Sequence, residues 1–178
     1  NSIELIGGEN IVVKNCQLGA QPTGITCKVQ EVNKLSFINN QVYPDGRENL
    51  VLDACNNCVI EGNNFKSYYN GILVLNGNDN TVNKNIFWLT GAVQNQLLDH
   101  GDDFGIINVK GNNNMVTSNS LSCEWAYAGA VTVNAVQGTG NVFKNCFVDN
   151  LESYRVFLVN AQTEVSNCVS SDKVSIVE

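Results

Sequence analysis

Gly71–Phe87 reads GILVLNGNDNTVNKNIF. An apolar strand leads into a polar turn, then a second short strand, then an Asn two residues before a large apolar side chain. The same pattern recurs along the chain. Ile72 and Val74 answer to Ile3 and Leu5, Ile25 and Cys27, Leu50 and Leu52, Ile106 and Asn108, Val131 and Val133, and Phe157 and Val159. The second half recurs in step: Val82, Asn85 and Phe87 answer to Val13, Cys16 and Leu18, to Phe37, Asn40 and Val42, and to Ile60, Asn63 and Phe65. Val116, Asn119 and Leu121 follow, then Phe143, Cys146 and Val148, then Val165, Cys168 and Ser170. Repeats at a period of roughly 22 to 26 residues, with one longer gap, are the mark of a stacked architecture.

A strand rises about 3.3 Å per residue, so a unit of about 22 residues closes one coil of short strands and corners. Stacked coils pair each strand in parallel with its equivalent in the next coil. The expected fold is all-β, a right-handed parallel β-helix of about seven coils forming one domain over residues 1–178, its hand set by the crossover rule. The column Cys16, Asn40, Asn63, Asn85, Asn119, Cys146, Cys168 is expected to form a corner ladder, with stacked side chains satisfying one another and the turn backbone. Those Asn are structural in this reading. None lies in an Asn-x-Ser/Thr glycosylation signal.

Composition agrees with a turn-rich fold. Asn is the commonest residue, and only 15% of the 178 residues are charged. A net charge of −7 argues against nucleic acid and against anionic membrane surfaces as partners. No run is long enough for a membrane helix, and no secretory leader is recognisable. The first residues already lie in a repeat, so the chain is expected to belong to a longer protein, extracellular or on a cell or virion surface, with any export signal upstream. The seven cysteines fall mostly on repeat positions and read as small buried residues, with a Cys146–Cys168 disulfide as the alternative. Cys55 and Cys58 have metal-pair spacing, but no second pair exists and His100 is the one histidine, so a zinc site is not expected.

Alternation counted from Ile72 and Val74 sends Leu73 and Leu75 outward, with Val51, Ile107, Val109 and Leu158 beside them. An apolar stripe on the outside of consecutive coils implies cover by either a loop or another subunit; a subunit is the favoured cover, with closed threefold symmetry the expected arrangement. Function is expected where the repeat is interrupted. The step from Ile72 to Ile106 is 34 residues, so an insertion protrudes over 88–104, and a smaller bulge follows at 122–129. These carry Trp88, His100, Asp102, Asp103, Glu124, Trp125 and Tyr127, with Arg155 at a corner of the next coil. Rings stack on the apolar faces of sugars while carboxylates accept hydroxyl hydrogen bonds or act as acid and nucleophile. Asp102, Asp103 and Glu124 are the candidate catalytic residues. Trp88, His100, Trp125, Tyr127 and Arg155 are the candidate substrate contacts. The competing reading of Gly101-Asp102-Asp103 is a turn before a strand.

Gly19-Ala20-Gln21-Pro22-Thr23-Gly24, Gly46-Arg47, Cys55-Asn56-Asn57-Cys58, and Asp102-Asp103 leading to Gly105-Ile106 and Gly111-Asn112-Asn113 resemble the inulin fructotransferase family. The resemblance runs along nearly all of the chain and matches the C-terminal half of a family member. It implies a trimeric right-handed β-helix with a groove between subunits. It also implies cleavage of difructosyl units from inulin by intramolecular transfer, without metal or organic cofactor. The chain departs from the family at Thr23, where the family's Pro-Asp-Gly turn supplies a catalytic Asp. A Thr cannot serve as acid, base or charge stabiliser at neutral pH. Glu31 is the one acidic side chain nearby, beside Gln30 and Asn33.

Three readings follow. The first is a polysaccharide-interacting trimeric module without the family's acid. The second is an active glycoside-cleaving or glycosyl-transferring enzyme using Asp102, Asp103 or Glu124. The third is a tail-spike or fibre receptor-binding domain.

Overall fold

The computed structural model describes residues 2–19, 24–44, 47–69, 71–90, 103–123, 131–149, 155–169 and 174–177. Three parallel sheets of eight, seven and six strands run the length of the molecule, and each complete coil contributes one strand to each. In the fourth coil these are Leu73–Asn76, Thr81–Asn83 and Ile86–Leu89. The result is a right-handed parallel β-helix.

Corners are set by single residues in the left-handed conformation. Asn15, Asn39, Gly62, Lys84, Ser118, Asn145 and Asn167 have φ between 52° and 67° at the corner between the second and third sheets. Asn10, Lys34, Asn57, Asp79, Asn113 and Gly140 do the same one corner earlier. One such residue reverses the backbone without a loop, and Asn and Gly tolerate it best. This is why the chain is so rich in Asn.

The residue after each second corner forms the ladder. Asn40 Nδ2 donates to Asn63 Oδ1 at 3.1 Å, Asn63 to Asn85 at 2.9 Å, and Asn85 to Asn119 at 3.0 Å. The other amide hydrogen of each goes back to a main-chain carbonyl of the previous coil, Val13, Phe37, Ile60 and Val82 in turn. Cysteine takes over part of this role: the Cys146 thiol donates to Val116 O at 3.5 Å and the Cys168 thiol to Phe143 O at 3.7 Å. A second ladder, Asn80–Asn114–Asn141, follows the other corner at 3.0 and 3.1 Å. It escaped the sequence reading because the earlier coils place Leu35 and Cys58 there.

The interior is a set of stacked apolar columns. Phe37, Ile60, Val82, Val116 and Phe143 are buried in the second sheet, and Phe65 and Phe87 stack face to face in the third at 5.0 Å. In the first sheet the register is Leu50↔Leu73↔Ile107, one residue away from that read off the sequence. Leu73, Leu75, Ile107 and Val109 are therefore core residues, not outward interface residues. The cause is the corner where the chain enters this sheet. Ile72 and Leu73 both face the core there, as do Ile106 and Ile107, and Val156 and Phe157. Strict alternation counted from Ile72 is out of phase beyond that point. The outward column is Val51, Val74, Asn108, Asn134 and Leu158.

Burial of cysteine follows from the same columns. The six described cysteines are free thiols, and all but Cys16 are buried. Desolvation, with a smaller contribution from Cys16, pushes the Cys27 thiol up to about 12. The Cys146 thiol is also raised, by its hydrogen bond to Cys168 and by burial.

Candidate functional site

The longest step between coils falls between Leu89 and Ile107, and Leu89 is the Cα partner of Cys123. Both interruptions of the repeat thus leave the helix from neighbouring positions at the end of the third sheet. Residues 91–102 and 124–130 lie outside the described residues, and with them Asp102, His100, Glu124, Trp125 and Tyr127. Thr23 lies outside them as well. Arg155 opens the strand Arg155–Asn160 and is the Cα partner of Val131.

Asp103 is placed. It lies at the rim of a cleft of about 170 Å³ on the outside of the first sheet, with Phe104, Asn108, Lys110, Asn134 and Gln137. Two amides build this cleft. Asn108 is 3% exposed and makes a pair of hydrogen bonds with Gly105, accepting from its N–H at 2.9 Å and donating to its carbonyl at 2.8 Å. Asn134, in the next coil, donates from Nδ2 to the Asp103 carbonyl at 2.7 Å and accepts the Val136 N–H at 3.2 Å. Asn108 and Asn134 are register partners, so the stack itself brings them together. Their effect is to fix the return of the chain from the insertion and hold Asp103 at the rim.

What remains directed at solvent is chemically mixed. Asp103, Lys110 and Gln137 are exposed beside a half-buried Phe104. A carboxylate, an ammonium and an amide around an aromatic edge suit a polyhydroxylated ligand, whose hydroxyls both donate and accept. Cleavage of a glycosidic bond takes a pair of carboxyl groups, and Asp103 is the one carboxylate among the described residues of this cleft. Asn108, Lys110 and Asn134 were not anticipated from the sequence. Trp88 lies elsewhere, on the outer face of the third sheet, with the Lys66 ammonium 4.2 Å from its ring centroid.

Coils of this kind, with amide ladders and an interrupted turn, define the parallel β-helix class. Within it the chain belongs to the NosD family: the family model, described as periplasmic copper-binding protein (NosD), matches residues 1–167. No curated protein matches in sequence. Among solved structures, DFA-IIIase from Arthrobacter chlorophenolicus A6 without its lid superposes with a TM-score of 0.81 at 23% identity, covering 96% of this chain and 45% of that one. The same lidless enzyme in complex with GF2 gives 0.81 at 22%, covering 99% and 47%. Its C387A mutant in complex with DFA-III gives 0.77 at 21%, covering 97% and 48%. The resemblance read from the sequence is thus met in structure at the level of the fold, and the chain spans about half the length of these relatives.

The family description raises copper. Copper sites draw on thiolate, thioether and imidazole ligands. Here the Cys16, Cys55, Cys58, Cys146 and Cys168 thiols are engaged with main-chain carbonyls at the corners. No group of three His, Cys, Asp or Glu that could hold a metal occurs among the described residues. Met115 stands half-exposed on the outer face of the second sheet. The described residues do not fit a copper site.

Proposed function

We propose that this chain is a carbohydrate-binding β-helix module that engages an oligosaccharide at the Asp103 cleft. The observation that carries the reading is the cleft itself, in which Asn134 fixes Asp103 beside Phe104, Lys110 and Gln137. Support also comes from the solved relatives, described in complex with GF2 and with DFA-III. The module works as a homotrimer in an exported location. The half-buried Val51 and Val74 lie on the same outer face as the cleft and supply the apolar part of the subunit contact. That arrangement puts the cleft in the groove between subunits.

Glycosidic cleavage is the second reading. Asp103 at the cleft rim favours it, with Asp102 and Glu124 as the partners it would need. Thr23 in place of the family's acid favours binding alone.

Calorimetric titration with inulin oligosaccharides, with product chromatography on the same samples, tests both. Binding without products supports the module, products support the enzyme, and neither binding nor products sinks the carbohydrate reading. Mass in solution tests the trimer, and a monomer at micromolar concentration removes it.

A further inference from the structure

The outer face of the third sheet changes size abruptly from coil to coil. Ile86 and Trp88 in the fourth coil are the register partners of Ser120 and Ser122 in the fifth, which in turn partner Phe147 and Asp149 in the sixth. Ser120 thus lies between Ile86 and Phe147, and Ser122 between Trp88 and Asp149. The flanking coils are separated by about 9.6 Å, twice the strand spacing. Van der Waals contacts of about 3.5–4.0 Å on each side leave about 2 Å for one puckered ring.

The walls and floor are chemically distinct. Trp88 carries Lys66 over its ring on the side of the third coil, which leaves the opposite face turned toward Ser122. Phe147 is 50% exposed and Ile86 49% exposed on the two sides. The Ser120 and Ser122 hydroxyls and the Asp149 carboxylate make no side-chain hydrogen bond with any described residue. A ligand matching this notch has an apolar ring face and a rim of hydroxyl donors. A sugar ring has both. A purely apolar occupant would leave the serines and the carboxylate unpaired.

We infer that the Ser120–Ser122 notch is a second glycan subsite, in which one sugar ring stacks on Trp88 and donates hydroxyl hydrogen bonds to Asp149. The inference rests on the carbohydrate-binding reading and deepens it. The insertion leaves the helix just beyond Trp88 and returns at Asp103, so the two subsites flank its two stems.

The test uses the full chain unsubstituted and with Trp125→Phe, so that heat of binding is read with the candidate contact Trp125 in place and Trp88 is the one tryptophan reporting in the variant. Inulin oligosaccharides are titrated while Trp88 emission and heat of binding are followed together. The expected result is a saturable change in Trp88 emission with the calorimetric midpoint. Ser122→Tyr, which fills the notch at an outward strand position, is expected to weaken binding at least tenfold. Heat of binding with unchanged Trp88 emission overturns the notch and leaves the Asp103 cleft standing. The absence of heat with the unsubstituted chain overturns the carbohydrate reading and the notch with it. A change of oligomeric state in Ser122→Tyr overturns the glycan occupant in favour of a second copy of the chain. Because the emission signal is read without altering the notch, it decides the matter even where Ser122→Tyr fails to fold.

Discussion

Asn119 Oδ1 receives two hydrogen bonds from the same residue one coil below, from the Asn85 N–H at 2.9 Å and from Asn85 Nδ2 at 3.0 Å. Asn119 Nδ2 meanwhile donates to Val82 O at 2.9 Å. Asn119→Leu removes the partner of the Asn85 N–H, of one Asn85 amide hydrogen and of Val82 O, and is expected to cost about 3 kcal/mol or more. Asn119→Cys keeps a donor for Val82 O, as Cys146 does for Val116 O, and is expected to cost about 1–2 kcal/mol. Urea unfolding of the two variants measures the difference. Equal losses would show that the ladder contributes volume and not hydrogen bonds.

Gly111 is expected to be irreplaceable for a different reason. A Cβ there would stand 1.7 Å from the Gly77 carbonyl oxygen, and one at Gly77 would stand 1.8 Å from that of Cys55. These obstacles are main chain, which cannot swing aside. Gly111→Ala is expected to destabilise by about 3 kcal/mol or more, read as a lowered urea midpoint. Wild-type stability in that variant would refute the close approach of the coils.

Leu73 separates core from interface. A core position predicts that Leu73→Ala loses about 2–5 kcal/mol of stability at unchanged oligomeric state. An interface position predicts the reverse pattern, a weaker assembly of intact subunits. Chemical denaturation and mass in solution on the same variant distinguish them.

Thr26 is fully buried, and its hydroxyl has no hydrogen-bond partner among the described residues. Its register neighbour Asn49 is buried too, with an unpartnered Oδ1. Thr26→Val keeps the shape and removes the unpaired oxygen, so a gain of about 1 kcal/mol is expected. A lower melting temperature would mean that the hydroxyl is satisfied in solution.

Cys27 gives the chain a pH signature. Its folded thiol titrates at about 12 against an ordinary value of 9.0. Between those values the unfolded chain has lost the proton that the folded chain keeps, so deprotonation favours unfolding. The Cys27 contribution is level below pH 9, so stability is expected to fall as pH rises from 9 toward 12, and to fall less in Cys27→Ala. Parallel pH profiles of the two proteins would remove Cys27 as the cause.

The legible and illegible parts of the sequence differ by their corners. In the second sheet the equivalences from Val13 through Phe37, Ile60, Val82, Val116 and Phe143 to Val165 match the register in every coil. Three-residue strands between fixed left-handed residues leave no room for slippage. The first sheet is entered through a bend that turns two successive side chains inward, and alternation cannot report such a bend. Asp103 was visible because it lies in an interruption of the repeat. Asn108 and Asn134 were not, since their proximity comes from stacking. The one signal in the sequence was a polar Asn108 aligned with the otherwise apolar position of Val74.

Asn40, Asn63 and Asn85 are each bonded to both neighbouring coils, as Asn85 is to Ile60 and Asn63 on one side and to Asn119 on the other. The contact between these coils is therefore the same in kind. A tandem duplication or deletion of one of these turns leaves no seam behind it. The rod can change length in evolution one repeat at a time, carrying its decorated turns farther from or nearer to whatever anchors it.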